Sequence, residues 1–197
     1  MAATASAGLV SYSTTGVFSC PVGLVGCSAS TNTVSIGGLT LTYTGGSGTN
    51  VNDVPFSTIN IGNIMSAGTG SGVNMTGIAL IISILSTPPG TTQTLPSGTL
   101  NGSLSTANSQ TSITFAPNNV TTFLGTLPGT VFTSGSTSIA YQVQTPMLGI
   151  QAPTVGSPAG QTSIQGYVLD ISAPEPATFV LMGAGLGLFG LLRRRRS

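Results

Sequence analysis

Short apolar segments recur along the chain between residues 9 and 171, and Gly, Pro, Asn and Ser separate them. In the clearest example, Leu39-Thr-Leu-Thr-Tyr43, apolar and polar residues alternate strictly. Such alternation is expected of a strand that buries one face, and this region has no convincing 3.6-residue period. The pattern predicts strands at residues 9–13, 33–36, 39–43, 57–61, 77–85, 98–104, 112–115, 130–132, 136–144 and 162–171.

One of these segments, Ile78-Ala-Leu-Ile-Ile-Ser-Ile-Leu85, is apolar on both faces, so it is predicted to be a central strand. The Gly-rich runs at residues 45–48 and 68–72 lack the Lys of a phosphate-binding loop, so flexible turns are predicted there. About ten short strands with turn signals between them predict an all-β fold, an antiparallel β-sandwich with jelly-roll-like connectivity.

The C-terminal residues have a different pattern. Residues 177–192 contain no charge, and Arg193, Arg194, Arg195 and Arg196 follow directly. A helix over this stretch would be about 24 Å long, which is shorter than the bilayer core of about 30 Å. The arginine side chains can make up the difference by extending their apolar stems along the lipid and placing their charged groups at the interface. We therefore predict one transmembrane helix, with the arginines in the cytoplasm and the rest of the chain outside. The alternative is a buried core helix, but such a helix rarely ends in a run of Arg.

A short extended motif, Pro174-Glu175-Pro176, precedes the apolar stretch, and its two prolines favour a stiff backbone conformation. The motif, the apolar stretch and the Arg cluster together resemble the PEP-CTERM sorting signal of Gram-negative bacteria. This resemblance implies processing by an exosortase and a transient anchor in the inner membrane. It further implies a final place on the cell surface or in the extracellular matrix, in association with exopolysaccharide or biofilm. The strand order also resembles the single β-sandwich domain of many short PEP-CTERM proteins.

Charged residues are almost absent before the sorting signal, which we call the tag (residues 173–197). The chain has no Lys, His or Trp, and the only acids outside the tag are Asp53 and Asp170. Because the residues before the C-terminal Arg cluster include no cation to neutralise phosphates, the chain is not expected to bind nucleic acid. No catalytic arrangement, metal site or cofactor is predicted, because the chain lacks His and the two acids lie far apart in sequence. We therefore expect no enzyme activity, and we interpret Asp170 as a solvated acid at a strand end.

Cys20 and Cys27 enclose a six-residue segment, Pro-Val-Gly-Leu-Val-Gly. In an oxidising compartment the pair is expected to form a structural disulfide, worth about 2.5 kcal/mol on the chain-entropy estimate. Two free thiols and a reactive redox site are the alternatives, and the spacing is too long for a CxxC motif.

The chain divides into three regions. Residues 1–8 end in small residues, with Ala5-Ser6-Ala7 similar to a signal-peptide cleavage site. This predicts that a signal peptide begins upstream, and a flexible N-terminus is the alternative. Residues 9–172 form the predicted β-sandwich, and residues 173–197 form the sorting tag. The leading functional hypothesis is a non-catalytic exported structural or adhesive protein, and the alternative is a carbohydrate-binding module of the cell surface.

Overall fold

The chain is described by a computed structural model at residues 8–116, 118–135, 137–155 and 159–171. Within these ranges the regular structure is entirely β-strand, and all the strand pairs are antiparallel. No helix in these ranges has the length and apolar character needed to span a bilayer. The helix predicted at residues 177–192 and most of the N-terminal region, residues 1–7, lie outside the described residues.

The strands are numbered in chain order. They are β1 Leu9–Ser19, β2 Ser28–Ala29, β3 Thr33–Ile36, β4 Leu39–Gly45, β5 Ser47–Asn52, β6 Ser57–Gly68, β7 Val73–Asn74, β8 Ala79–Thr87, β9 Thr91–Thr94, β10 Gly98–Asn101, β11 Ser103–Leu104, β12 Ser112–Phe115, β13 Asn119–Thr122, β14 Gly125–Ser134, β15 Thr137–Val143, β16 Met147–Gly149 and β17 Gln161–Asp170.

These strands form two large sheets and one small one. The first sheet has the order β16-β12-β10-β8-β1-β5, and β9 pairs with β8 beside this path. The second sheet has the order β13-β14-β15-β17-β6-β4-β3-β2, and β7 pairs with β11 separately. The all-β antiparallel prediction is therefore confirmed, whereas the jelly-roll-like connectivity stays a prediction.

Each predicted strand overlaps an observed strand, and two of them, β3 and β12, have the predicted bounds. The predicted segment at residues 98–104 divides into β10 and β11 at Gly102, whose φ of 104° interrupts the strand. The strands that the sequence pattern missed include β5 and β9, which consist of Ser, Thr, Asn, Gln and Gly apart from a single Val.

The apolar strand β8 is central, as predicted, because it pairs with β1 on one side and with β10 on the other. Its two faces differ, however. Leu80, Ile82 and Ile84 are buried, whereas Ile81 and Leu85 point to the other face and are exposed. The second apolar face is therefore left in water, as an antiparallel sheet allows.

The inner faces of the two large sheets share one hydrophobic core. In β4, for example, Leu39, Leu41 and Tyr43 are buried, and the threonines between them point outward. Alternation of this kind follows from the two-residue period of a strand. Burying each large aliphatic side chain contributes roughly 1.5–3 kcal/mol, so this core is the main source of stability.

A buried polar network joins the two sheets inside this core. The hydroxyl of Tyr43, in the second sheet, donates to the Ile61 carbonyl at 2.7 Å and lies 3.0 Å from the hydroxyl of Thr14, in the first sheet. The Thr14 hydroxyl also contacts the Ile61 carbonyl and accepts the Gly46 N–H at 2.8 Å. Burial raises the pKa of Tyr43 to about 12, so the phenol stays neutral at physiological pH.

The chain passes from the second sheet to the first at Gly46, between β4 and β5. The passage is closely packed, because a Cβ at Gly46 would lie 1.8 Å from the Asn60 carbonyl oxygen. The Gly46 N–H also donates to the Ile61 carbonyl at 3.0 Å. The flexible turn predicted at residues 45–48 is therefore wrong, since glycine here permits a close approach between backbones.

We expect Gly46→Ala to lower the free energy of unfolding by roughly 2 kcal/mol or more, because the new methyl group forces the crossing segment away from the backbone of Asn60 and Ile61 in β6. Gly149→Ala is the matched control, since a Cβ there meets nothing within 4 Å and its effect should stay within about 0.5 kcal/mol. Urea unfolding of both variants measures the difference. Equal stability of the two variants would contradict this account of the passage.

Candidate functional site

We call the β-strand region of the described structure, residues 8–171, the body. Strand β1 runs from one end of the body to the other. This strand has 11 residues, so it spans about 33 Å at ~3.3 Å per residue. The proximal end is where Gly8, Asp53 and Ile171 meet, and the distal end is where Cys20 and the loop after it lie. The last strand, β17, runs from the distal end to the proximal end, because Gln161 pairs with Met65 and Val168 pairs with Ser57.

Backbone hydrogen bonds assemble the proximal end. The Asp53 N–H donates to the Gly8 carbonyl at 3.2 Å, and the Asp170 N–H donates to the Asp53 carbonyl at 2.9 Å. The Ile171 N–H donates to the Ser138 carbonyl at 2.8 Å. The described structure therefore ends at Ile171 in a position that these hydrogen bonds to the rest of the sheet fix.

The proximal end brings together the two acids that lie far apart in sequence. Asp53 is 1% exposed, and its Oδ1 has no hydrogen-bond partner among the described residues. Burial raises the pKa of this carboxyl group, and the nearby charge of Asp170 raises it further. Asp170 is partly exposed at the end of β17, close to its predicted place at a strand end.

The buried acid is enclosed rather than open to a substrate. A Cβ at Gly8 would lie 2.5 Å from both carboxylate oxygens of Asp53, so only glycine fits beside it. Tyr141, whose hydroxyl lies 2.8 Å from that of Ser86, has its pKa raised to about 12, chiefly by burial and in part by Asp53. The acid pair is thus placed to affect stability, and the described residues contain no group of three or more His, Cys, Asp or Glu that could hold a metal.

Three aromatic side chains form a cluster on the outer face of the second sheet. The ring centroids of Phe56 and Tyr167 lie 5.6 Å apart at an interplanar angle of 89°, and those of Phe56 and Phe123 lie 5.9 Å apart. Phe56 is 38% exposed and Phe123 is 66% exposed. We call this group the aromatic cluster. Exposed rings that touch one another form an apolar surface suited to contact with another molecule.

The β13–β14 hairpin carries Phe123 to the cluster, and a buried glutamine holds the hairpin in place. The Gln142 Nε2 group donates to the Val120 carbonyl at 2.6 Å and to the Gly125 carbonyl at 3.3 Å. The Thr122 hydroxyl donates to the Gln142 Oε1 atom at 3.0 Å. Sequence reasoning missed this cluster, because Phe56, Phe123 and Tyr167 are widely separated and Gln142 reads as a surface residue.

The distal end carries the disulfide-closed loop. Cys20 and Cys27 are joined by a disulfide with an S–S distance of 2.00 Å, in agreement with the structural disulfide that was predicted. Two successive turns close the loop through hydrogen bonds from Leu24 N–H to the Pro21 carbonyl and from Cys27 N–H to the Leu24 carbonyl. Val22 and Val25 stand at its surface and are exposed.

An open cavity of about 280 Å³ also lies at the distal end. Its lining is polar and uncharged and consists of Gly72, Ser103, Ser105, Asn108 and Gln110. Its place follows from β6, which ends at Gly68, because Gly72 lies four residues beyond that strand end and the Thr106 N–H, beside Ser105, donates to the Gly70 carbonyl at 3.0 Å. Hydroxyl and amide groups of this kind both donate and accept hydrogen bonds, so the cavity suits a neutral polar ligand.

The acid pair predicts how stability changes with pH. The folded pKa of Asp53 is raised above its unfolded value of about 3.9, so its contribution is fully present below that pH. It is lost as pH rises through the folded pKa, and stability should fall over that range. Asp53→Asn should abolish this fall, whereas Asp170→Asn should reduce it by removing the neighbouring charge. Urea midpoints across pH 3–8 test this prediction, and an unchanged fall in Asp53→Asn would contradict it.

The sorting residues predicted from sequence, Pro174, Glu175, Pro176 and Arg193 to Arg196, lie outside the described residues. The family model of the PEP-CTERM protein-sorting motif matches residues 172–196. Neither the curated proteins nor the solved structures contain a match to the chain. The chain therefore carries a PEP-CTERM protein-sorting motif at residues 172–196, directly after a body that is mostly β-strand.

Proposed function

We propose that the chain is an exported, non-catalytic protein of the cell surface or extracellular matrix, which an exosortase processes through its tag. The observation that carries this proposal is the sorting motif at residues 172–196, because such a motif indicates export and exosortase processing. The chain would be anchored transiently in the inner membrane by residues 177–192, with Arg193 to Arg196 in the cytoplasm. After processing, the β-rich body would be associated with exopolysaccharide or biofilm.

The body supports a structural or adhesive role in two ways. Its Asp53 carboxyl group is enclosed, so this acid is not available to act on a substrate. Its outward-facing strand residues are largely Ser, Thr, Asn and Gln, which can form many hydrogen bonds with a hydrated matrix without carrying charge. The disulfide at Cys20–Cys27 suits an oxidising compartment outside the cytoplasm. We further propose that the two sheets form a β-sandwich with jelly-roll-like connectivity.

Deleting residues 174–197 should remove both the membrane stage and exosortase processing. Intact mass spectrometry of membrane, surface and medium fractions from a host that has an exosortase would measure this. Changing Pro174, Glu175 and Pro176 together to Ala should leave the chain unprocessed in the membrane. The control, in which Arg193 to Arg196 become Lys, should keep its orientation because the positive charge remains. Normal surface arrival and processing of the deletion variant would refute the proposal.

A carbohydrate-binding module is the second candidate function, and the distal cavity favours it. The cavity offers the Asn108 and Gln110 amide groups and the Ser103 hydroxyl group without any charge, which matches the hydrogen-bonding groups of a neutral sugar, whereas the Ser105 hydroxyl is bonded to the Asn108 backbone. At about 280 Å³ it lies near the lower end of the usual range of ligand pockets, about 300–1,000 Å³.

A glycan array that includes the native exopolysaccharide tests this second candidate. The double variant Asn108→Ala/Gln110→Ala should lose binding, because two amide groups are removed from the lining. Asn101→Ala is the matched control, since Asn101 is also exposed but is not among the lining residues. Absence of binding by the unmodified protein, or equal binding by the double variant, would eliminate the cavity as a sugar site.

A further inference from the structure

We propose that the aromatic cluster of Phe56, Phe123 and Tyr167 rests against the lipid bilayer while the tag anchors the chain. This inference rests on the proposed function, because it needs the membrane-anchored stage. It adds an interaction surface on the body itself, and its partner is the interfacial region of a lipid bilayer.

The position of the chain exit limits how far the body can stand from the membrane. The described structure ends at Ile171, which is held at the proximal end by its bond to Ser138. Five residues, 172–176, separate it from the apolar stretch that begins at residue 177. From Ile171 to residue 177 there are six Cα–Cα steps, which span at most about 22 Å when fully extended, so the proximal end must stay close to the bilayer.

The aromatic cluster lies near this end. Tyr167 precedes Asp170 by three residues on β17, a distance of about 10 Å along the strand. Phe56 immediately precedes β6, whose first residue, Ser57, pairs with Val168. The apolar tip of the disulfide loop, in contrast, stands at the distal end, about 33 Å away along β1. A short tether therefore brings the cluster to the bilayer and keeps the loop away from it.

The chemistry of the cluster suits the membrane interface. Aromatic rings are enriched at this depth, where an apolar ring lies beside polar headgroups. The Tyr167 hydroxyl group supplies a polar atom, and Phe123 is 66% exposed in water. Of the two acids at this end, Asp53 is enclosed and its pKa is raised by burial, so only Asp170 is partly exposed near the contact.

Hydrogen bonds hold the hairpin that presents Phe123 in place. Phe123 therefore does not have to become ordered when it binds a partner. Gln142 is fully buried, and its side-chain amide bonds to Val120, Gly125 and Thr122. Phe123 therefore keeps its place beside Phe56 in the absence of a partner. Because little conformational entropy remains to be lost, a small apolar surface is sufficient once the tether supplies a high local concentration.

The test uses the full-length chain, which has no Trp, in vesicles whose acyl chains carry bromine, a quencher of Trp fluorescence. Two single-Trp variants are compared, Phe123→Trp in the cluster and Val22→Trp in the disulfide loop. Both positions are exposed, 66% and 106% respectively, so neither substitution disturbs the core. Flotation of each variant with the vesicles measures anchoring independently of fluorescence.

We expect both variants to float with the vesicles, with loss of Trp emission and a blue shift only in Phe123→Trp. Flotation without quenching of Phe123→Trp would overturn this inference and leave the anchor intact. Equal quenching of Val22→Trp would also overturn it, since that outcome indicates unspecific adsorption. Failure of both variants to float would overturn the anchor and this inference together. If a soluble neutral polysaccharide changes the emission of Phe123→Trp and bromolipid does not, the cluster is a sugar platform instead.

Discussion

The hydroxyl groups of Thr14 and Tyr43 meet the carbonyl of Ile61 at the point where the chain crosses between the sheets. A buried hydroxyl or carbonyl without a partner is costly, so this network can form only when both sheets are in place. Gly46 belongs to the same arrangement, because its N–H bonds to Thr14 and its missing side chain lets the backbones approach. The apolar core supplies most of the stability, whereas this network determines how the sheets are placed relative to one another.

Strands could be predicted wherever one buried face makes apolar and polar residues alternate in the sequence. β3, β4 and β12 alternate in burial with the two-residue period that their residues show. Strands such as β5 and β9 were missed because they are mostly exposed and polar, and tertiary pairing alone makes them strands. The central place of β8 was predicted correctly, but the exposure of Ile81 and Leu85 on its outer face does not follow from their apolar side chains.

The candidate sites were less predictable than the strands. The sorting motif is contiguous, so residues 174–196 could be recognised without a fold, and the disulfide follows from two nearby cysteines. The acid pair and the aromatic cluster join residues more than 100 positions apart, such as Asp53 with Asp170 and Phe56 with Tyr167. Which of these residues meet depends on the register of β6 against β17. Composition and periodicity do not determine that register.

The place of β17 in its sheet has a mechanical consequence. This strand leads directly into the tag, and it pairs with β15 on one side and with β6 on the other. A pull on the anchored tag therefore acts along a central strand and loads both hydrogen-bond ladders in shear, instead of peeling an edge strand away bond by bond. Resistance to forced unfolding depends on the rate at which such ladders break together. If the tag anchors the chain as proposed, tension at the membrane would thus be transmitted through the middle of the folded body.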